Sequence, residues 1–188
     1  MTTVQPPQAD ERSDAASRAS TPHTYTEYGE ALAALSRLVL RMCAMAARQL
    51  ALALESLASG GQNLIDEVLE HEAAINELER MIDSQASQII ARWQPAARDL
   101  RLLLAFAKST TDLERVGDEA KKIALQARKL YADRRPPLQH VELRTMAAIA
   151  REMLHASERA LEDMNPDQAA EASRRDEELD GAFRGALR

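Results

Sequence analysis

Two carboxylates, Glu114 and Asp118, are the side chains in this sequence whose type and spacing best suit chemistry. Because they are four residues apart, they share one face of a helix, where like charges repel by about 0.2–0.5 kcal/mol. Gly117 lies between them, and a glycine inside a helix is about 1 kcal/mol less favourable than alanine. A bound cation would relieve the repulsion, and the close approach of a helix or a ligand would explain the glycine.

A matching stripe of oxygen-bearing side chains lies upstream: Glu72, Asn76, Glu79 and Asp83. If the two helices form a hairpin, Glu72 and Asn76 lie level with Glu114 and Asp118. Hard cations, iron and manganese accept carboxylate and amide oxygens, so the spacing is compatible with a metal site between the helices. The alternative is a solvated acidic face, neutralised by neighbouring lysines and arginines.

Other catalytic or cofactor patterns are weak in this sequence. A ferritin-like di-iron centre needs two Glu-x-x-His pairs, and the chain has one, Glu152 with His155. The sequence contains neither a glycine-rich phosphate loop nor a nucleophile elbow. We therefore predict a protein without catalytic residues or an organic cofactor.

The elements that position these residues are predicted to be helices throughout. Glycine is rare, with six among 188 residues, and hydrophobic residues make up 45% of the chain while aromatic residues make up 3%. This composition favours an all-α fold. The net charge of −6 argues against a nucleic-acid partner. No run of about 18 uninterrupted apolar residues could span a membrane, so we expect a cytoplasmic protein.

Helices are expected at 28–59, 62–93, 95–133, 138–164 and from 166 to the C-terminus, after a disordered tail at 1–27. Heptad spacing and short connections predict that the first three form an antiparallel bundle over residues 28–133. Its seam is expected to follow apolar residues, through Leu50 and Leu57 in the first helix and Val116 and Ile123 in the third. That seam leaves Glu114 and Asp118 on the outer face.

The end of the chain resembles its beginning. A shift of 104 residues aligns apolar positions without a gap, and it pairs Glu72 with Asp176 and Asn76 with Asp180. Asp176 and Asp180 therefore join the candidate metal ligands. Residues 138–188 are predicted to form a partial second repeat of two helices, and a sixth helix is expected to start near position 199.

The hairpin of the second repeat is predicted to lie end to end with the first bundle, because the linker Arg134–Pro137 is short. One apolar groove of the hairpin would then stay uncovered, and an exposed apolar patch usually marks an interface. We therefore expect residues 138–188 to pair with another chain, as in a homodimer or other homo-oligomer, or to be loosely ordered.

Three stretches resemble motifs of the PhoU family of phosphate-uptake regulators: LERVGDEAKKIA at 113–124, QPAARDLR at 94–101 and HEAAINELERMI at 71–82. The resemblance implies PhoU-like antiparallel bundles in tandem, here one complete three-helix bundle followed by a two-helix partial repeat. It also implies that Glu/Asp-x-x-x-Asp pairs hold surface iron, zinc or magnesium. Glu114 and Asp118 match that pattern, whereas Asn76 replaces an aspartate, which predicts weaker binding at the Glu72 pair.

The resemblance also implies a function: a cytoplasmic, non-enzymatic regulator of phosphate uptake and phosphate homeostasis. Members of the family act between the ATPase subunit of a phosphate ABC transporter and a sensor histidine kinase, and they repress the phosphate-starvation response. They are peripheral to the membrane only through such partners. The alternative is a helical metal-binding or scaffold protein that keeps the fold without phosphate signalling.

Overall fold

The computed structural model describes residues 21–133 and 141–186, and every regular element in these ranges is an α-helix. The predicted all-α fold is therefore confirmed. The first part of the expected tail, the linker at 134–137 and the start of the predicted fourth helix lie outside the described residues. Among residues 21–133 and 141–186, none of the helices combines the length and the hydropathy that a membrane span requires.

Six helices follow one another in the described part of the chain: α1 (Thr21–Ser59), α2 (Gln62–Trp93), α3 (Ala97–Ala132), α4 (Val141–Glu162), α5 (Pro166–Arg174) and α6 (Asp176–Ala186). α1 begins at Thr21, before the predicted start at Tyr28. The predicted fifth helix is interrupted, because a turn at Arg175 separates α5 from α6. The sequence thus identifies the helices but not all of their bounds.

Local sequence signals account for two of the helix ends. Gly60 follows α1 with a φ of 76°, a left-handed conformation that favours glycine. Asn165 caps α5, because its side chain accepts hydrogen bonds from the backbone N–H groups of Asp167 and Gln168. Pro166 occupies the first helical position, where no N–H is needed. Both connections are short, so the helices that they join run antiparallel.

α1, α2 and α3 pack against one another as a three-helix bundle. Its larger apolar cluster includes Leu35, Ile82 and Phe106, one from each helix. A smaller cluster includes Ala53 and Val68. The complete first bundle that the sequence predicts is therefore present.

The buried seam of α1 includes polar residues that the prediction passed over. Its members, four and three residues apart in turn, are Leu35, Val39, Met42, Ala46, Gln49, Ala53 and Ser56. Leu50 and Leu57, which were predicted for the seam, are half-buried. The prediction is wrong here because it followed apolar side chains. The spacing of residues along the helix decides which positions face the bundle, and a polar residue at such a position can be buried when it has a hydrogen-bond partner.

The seam of α3 also differs from the prediction, here by one residue towards the C-terminus: Leu103, Phe106, Thr110, Leu113, Gly117, Ala120, Ala124 and Ala127. Val116 and Ile123, predicted for this seam, are half-buried. This shift places Gly117 in the core. It also moves Glu114 and Asp118 from the predicted outer face to the half-buried edge of the bundle.

The second part of the fold lies beside the first bundle. α4 packs along α1, and α5 and α6 pack against α4. Leu161 joins the larger apolar cluster of the bundle, and the carbonyl oxygen of Leu154 lies 4.0 Å from the sulfur of Cys43. The predicted end-to-end arrangement is therefore wrong, because apolar residues of α4 find a surface to cover on α1.

Candidate functional site

A buried polar network joins α1, α2 and α3. Glu72 is only 5% exposed and Gln49 is fully buried. The side-chain amide of Gln49 donates to Glu72 Oε2 at 3.0 Å and to the carbonyl oxygen of Val68 at 3.2 Å. Lys121 Nζ donates to Glu72 Oε1 at 3.4 Å. The Gln49–Glu72–Lys121 network therefore supplies the counter-charge and hydrogen bonds that a buried carboxylate needs.

Gly117 faces this network from α3. A Cβ atom there would lie 2.9 Å from Gln49 Oε1 and 3.3 Å from both Glu72 Oε2 and Ile75 Cδ1. The first distance is shorter than a carbon–oxygen van der Waals contact, so a larger residue would displace the Gln49 side chain. Close approach of neighbouring helices, one of the two explanations that the sequence suggested, therefore accounts for the glycine.

Glu114 and Asp118 lie beside the network at the half-buried edge of the bundle. Burial is the largest cause that raises the pKa of Glu114, and the charges of Asp118, Glu79 and Glu72 raise it further. Arg115 acts in the opposite direction. The structure thus brings carboxylates of α2 and α3 together, in the register that a hairpin predicts.

The donor set for a metal is smaller than the sequence suggests, because Glu72 is engaged in the buried network. Within residues 21–133 and 141–186, no three histidine, cysteine, aspartate or glutamate side chains are placed to hold a metal ion. Glu114 and Asp118 remain accessible in part, and Asn76 on α2 is half-buried as well. Their oxygens suit a hard cation or iron. Metal binding by these residues remains a prediction.

The repeat-related pair, Asp176 and Asp180, lies on α6 with both side chains exposed. They are four residues apart and so share one face of the helix. α6 packs against α4 and α5. No third acidic, histidine or cysteine ligand joins them among the residues that the structure describes. A metal at this pair is likewise still a prediction.

The sequence analysis missed the roles of Gln49 and Lys121, and it treated Glu72 only as a candidate metal ligand or as part of a solvated acidic face. The spacing contained a signal for Gln49: the alternation of four and three that reaches Ala46 continues to Gln49 and then to Ala53. A polar residue at such a position predicts a buried hydrogen-bond partner on a facing helix. No comparable signal identifies Lys121, whose contact with Glu72 depends on how α2 and α3 pack.

Comparison with known families and structures gives a consistent result. The family model described as "PhoU domain" matches residues 39–127 and 143–188. The crystal structure of PhoU from Pseudomonas aeruginosa has a TM-score of 0.81 with this chain at 32% identity. That likeness covers 85% of this chain and 77% of the other.

Curated relatives carry one kind of name. The "Phosphate-specific transport system accessory protein PhoU homolog" of Pseudomonas putida is 34% identical over 168 residues, 89% of this chain and 66% of the relative. A Burkholderia sp. protein of the same name is 41% identical over 153 residues, 80% of this chain and 64% of the relative. The Escherichia coli K12 "Phosphate-specific transport system accessory protein PhoU" is 31% identical over 166 residues, 88% of this chain and 68% of the relative. The chain spans about two thirds of the length of these relatives.

Proposed function

Because the chain belongs to the PhoU domain family, we propose that it is a non-enzymatic regulator of phosphate uptake and phosphate homeostasis. The observation that carries the proposal is the extent of the family match, which covers residues 39–127, most of the α1–α3 bundle, and residues 143–188. The names of the relatives, accessory proteins of a phosphate-specific transport system, support it.

In this proposal the protein acts in the cytoplasm between the ATPase subunit of a phosphate ABC transporter and a sensor histidine kinase. It transmits phosphate sufficiency and thereby represses the phosphate-starvation response. The packing of the motif stretch supports a binding role. Leu113, Gly117 and Ala120 form core contacts, whereas Glu114 and Asp118 stay within reach of solvent. The protein approaches the membrane only through its partners.

Deletion of the gene tests this proposal. In phosphate-replete cells, expression of a starvation-response reporter is expected to rise in the deletion strain, and the wild-type gene is expected to restore repression. Two variants of α3 serve as a matched pair. Leu113 is 8% exposed and Leu104 is 57% exposed, so Leu113→Asp should fail to complement and Leu104→Asp should complement. Unchanged reporter expression and unchanged phosphate uptake in the deletion strain would contradict the proposal.

A second candidate function, a metal-binding or scaffold protein without phosphate signalling, is favoured by the meeting of carboxylates at the bundle edge. We propose that Glu114 and Asp118, with Asn76 from the facing helix, bind iron, zinc, magnesium or manganese. Glu72 would contribute only if it left the buried network. Asp176 and Asp180 would form a separate, weaker pair.

Metal analysis of purified protein tests the second candidate. Glu114→Gln with Asp118→Asn should lower the bound metal while the helix content is unchanged, because neither side chain lies in the buried seam. The matched control is Asp112→Asn with Glu119→Gln, two exposed acids of the same helix. Equal metal content in the two double variants, or no metal in the wild type, would show instead that these residues form a solvated acidic face.

A further inference from the structure

The Lys121 side chain holds the buried carboxylate of Glu72 loosely. Its Nζ atom lies 3.4 Å from Glu72 Oε1, whereas a tight charge-assisted hydrogen bond of this kind measures about 2.7–2.9 Å. The lysine side chain is 38% exposed and carries its charge on a flexible aliphatic stem. At the other oxygen of Glu72, the side-chain NH₂ group of Gln49 donates at 3.0 Å. Glu72 Oε1 can therefore exchange its cation while Oε2 keeps its hydrogen bond.

Four carboxylates meet where Lys121 contacts Glu72: Glu72 and Glu79 of α2, and Glu114 and Asp118 of α3. Burial raises the pKa of Glu114 most, and the charges of the other three raise it further, so the four groups are close enough to repel one another. A single ammonium group neutralises one of these charges. A divalent cation in its place would neutralise two and would relieve more of the repulsion.

The neighbouring cations of α3 contact carboxylates outside this group. Arg115 Nη1 lies 3.7 Å from Asp112 Oδ1, and Lys122 Nζ lies 2.7 Å from Glu119 Oε1. Lys121 is the cation that contacts Glu72 among the residues that the structure describes. Departure of this one lysine would therefore open the inner carboxylate to another cation.

Gln49 brings an unused hydrogen-bond acceptor to the same place. It is fully buried, and its Oε1 atom has no hydrogen-bond partner among the described residues. A Cβ atom on Gly117 would lie 2.9 Å from that oxygen and 3.3 Å from Glu72 Oε2, so both oxygens face the turn of α3 that carries Glu114 and Asp118. Small hard cations keep several water ligands, and such waters donate hydrogen bonds. A hydrated cation would therefore satisfy both the carboxylates and the spare amide oxygen.

The donor atoms identify the class of ion. The available ligands are carboxylate oxygens of α2 and α3, together with the amide oxygen of Asn76, four residues after Glu72. Oxygen ligands of this kind suit magnesium and manganese, whereas imidazole and thiolate ligands favour zinc. While Lys121 contacts Glu72, no three acidic, histidine or cysteine side chains in residues 21–133 and 141–186 are placed to hold a metal. The lysine therefore occupies the contact that a third carboxylate ligand would need.

We propose that Lys121 is a built-in counter-ion, which a hard divalent cation displaces from Glu72. Without the metal, the ammonium group neutralises the buried carboxylate. When the metal binds, Glu72 Oε1 contacts the metal and Lys121 moves into solvent. Glu114 and Asp118 supply further oxygen ligands, and Gln49 keeps its hydrogen bond to Glu72 throughout. The inference rests on the second candidate function, metal binding, and adds that the chain itself competes with the metal for the site.

Calorimetric titration of the metal-stripped full chain with Mn²⁺ tests the competition. Lys121→Met should lower the Kd for Mn²⁺ by about tenfold or more, because the competing charge is removed. Lys121→Arg keeps a cation and should leave Kd at or above the wild-type value. The matched control is Lys122→Met, which removes the same charge from the adjacent residue that pairs with Glu119. This control should change Kd by less than about threefold.

A second measurement detects the displacement in the wild-type protein. Acetylation by a lysine-reactive ester, read by mass spectrometry, reports how accessible each ammonium group is. Saturating Mn²⁺ should raise the acetylation rate of Lys121 severalfold, because its ammonium group leaves Glu72, and should leave the rate of Lys122 unchanged. This measurement needs no substitution, so it decides the proposal even if Lys121→Met does not fold.

Two results would overturn the exchange and leave metal binding intact: equal Kd values for Mn²⁺ in folded Lys121→Met and Lys122→Met, and a Lys121 acetylation rate that saturating Mn²⁺ does not raise. Binding that Glu114→Gln with Asp118→Asn does not weaken would also overturn it, because the ion would then lie elsewhere. Absence of Mn²⁺ binding up to about 1 mM in both wild type and Lys121→Met would overturn the exchange and the second candidate function together.

Discussion

At the scale of single residues, the position relative to the seam decides what a polar side chain does. Lys121 and Lys122 are neighbours, yet Lys121 reaches the buried carboxylate of Glu72 whereas Lys122 pairs with the exposed Glu119 at 2.7 Å. Surface pairs of the second kind contribute little to stability. The polar residues that matter for folding are therefore those held between helices.

Gly117→Ala is expected to destabilise the protein by up to about 2 kcal/mol, which is the strain less the gain in helix propensity. Alanine gains up to about 1 kcal/mol in helix propensity, but its Cβ would displace Gln49 Oε1, from which it would lie only 2.9 Å away, and strain of this kind costs about 1–3 kcal/mol. Urea unfolding measures the change. Gly181→Ala is the control, because its Cβ would meet no atom within 4 Å, and that variant should be stabilised. A Gly117→Ala variant as stable as Gly181→Ala would contradict the contact.

The pH dependence of stability should report the environment of Glu114, whose pKa is raised chiefly by burial and then by Asp118. A carboxyl group with a raised folded-state pKa binds its proton more tightly in the folded chain. Its contribution to stability is therefore present below the ordinary glutamate pKa of about 4.3 and is lost as pH rises through the folded-state pKa. Glu114→Gln removes that loss.

We therefore expect Glu114→Gln to gain stability relative to wild type between pH 4 and pH 7. Loss of the like-charge repulsion with Asp118 should contribute about 0.2–0.5 kcal/mol of that gain. Unfolding curves at the two pH values, at low salt, measure it. Glu119→Gln, an exposed change on the same helix, should show no gain, because Glu119 pairs with Lys122. If the wild-type protein were more stable than Glu114→Gln at pH 7, that result would contradict the raised pKa of Glu114.

At the scale of helices, the Gln49–Glu72–Lys121 network links the three helices of the bundle through polar side chains. Gln49 belongs to the seam of α1 and Glu72 to α2, and both are held by hydrogen bonds to neighbouring helices. Such a network adds little net stability, because desolvating the charges opposes the attraction between them. Removal of one partner lowers the free energy of unfolding, because the remaining charge is then buried without a partner.

Lys121→Met is therefore expected to lower stability by about 1–2 kcal/mol, less than the loss of a fully buried partner because the Lys121 side chain is 38% exposed. Lys122→Met, at the adjacent exposed position, should change stability by less than about 0.5 kcal/mol. Chemical unfolding of both variants measures the difference. Glu72→Gln should reduce the loss in the Lys121→Met background, and additive effects of the two changes would show that the pair does not interact.

At the scale of the whole molecule, burial is uneven. The first bundle contains two apolar clusters, whereas Ala160 and Ala172 are the buried hydrophobic residues of α4–α6 among those described. Phe183 on α6 is 53% exposed. Large apolar side chains contribute most of the burial free energy, and alanine contributes little. Burial therefore stabilises the α4–α6 region less than it stabilises the first bundle.

Hydrogen exchange should show this difference directly. Amides in the middle of α1, α2 and α3 are expected to exchange slowly, near the rate set by global unfolding, and those of α4–α6 to exchange faster through local opening. Mass spectrometry of peptides from the two regions measures it, with α1 as the internal reference. Equal protection in both regions of a strict monomer would mean that the hairpin is as stable as the bundle.

The sequence by itself determined the all-α fold, the three-helix bundle, the internal repeat and the approach of Glu114 to the acidic stripe of α2. These follow from spacing, because positions three and four apart share a helix face whatever the surroundings. The tertiary structure decided which of two adjacent positions became the seam. Leu50 and Val116 were the apolar choices, yet Gln49 and Gly117 are buried. The reason is that burial depends on partners supplied by other helices. Glu72 and the carbonyl oxygen of Val68 accept the hydrogen bonds of the Gln49 side-chain NH2 group, and one-dimensional spacing does not contain those partners.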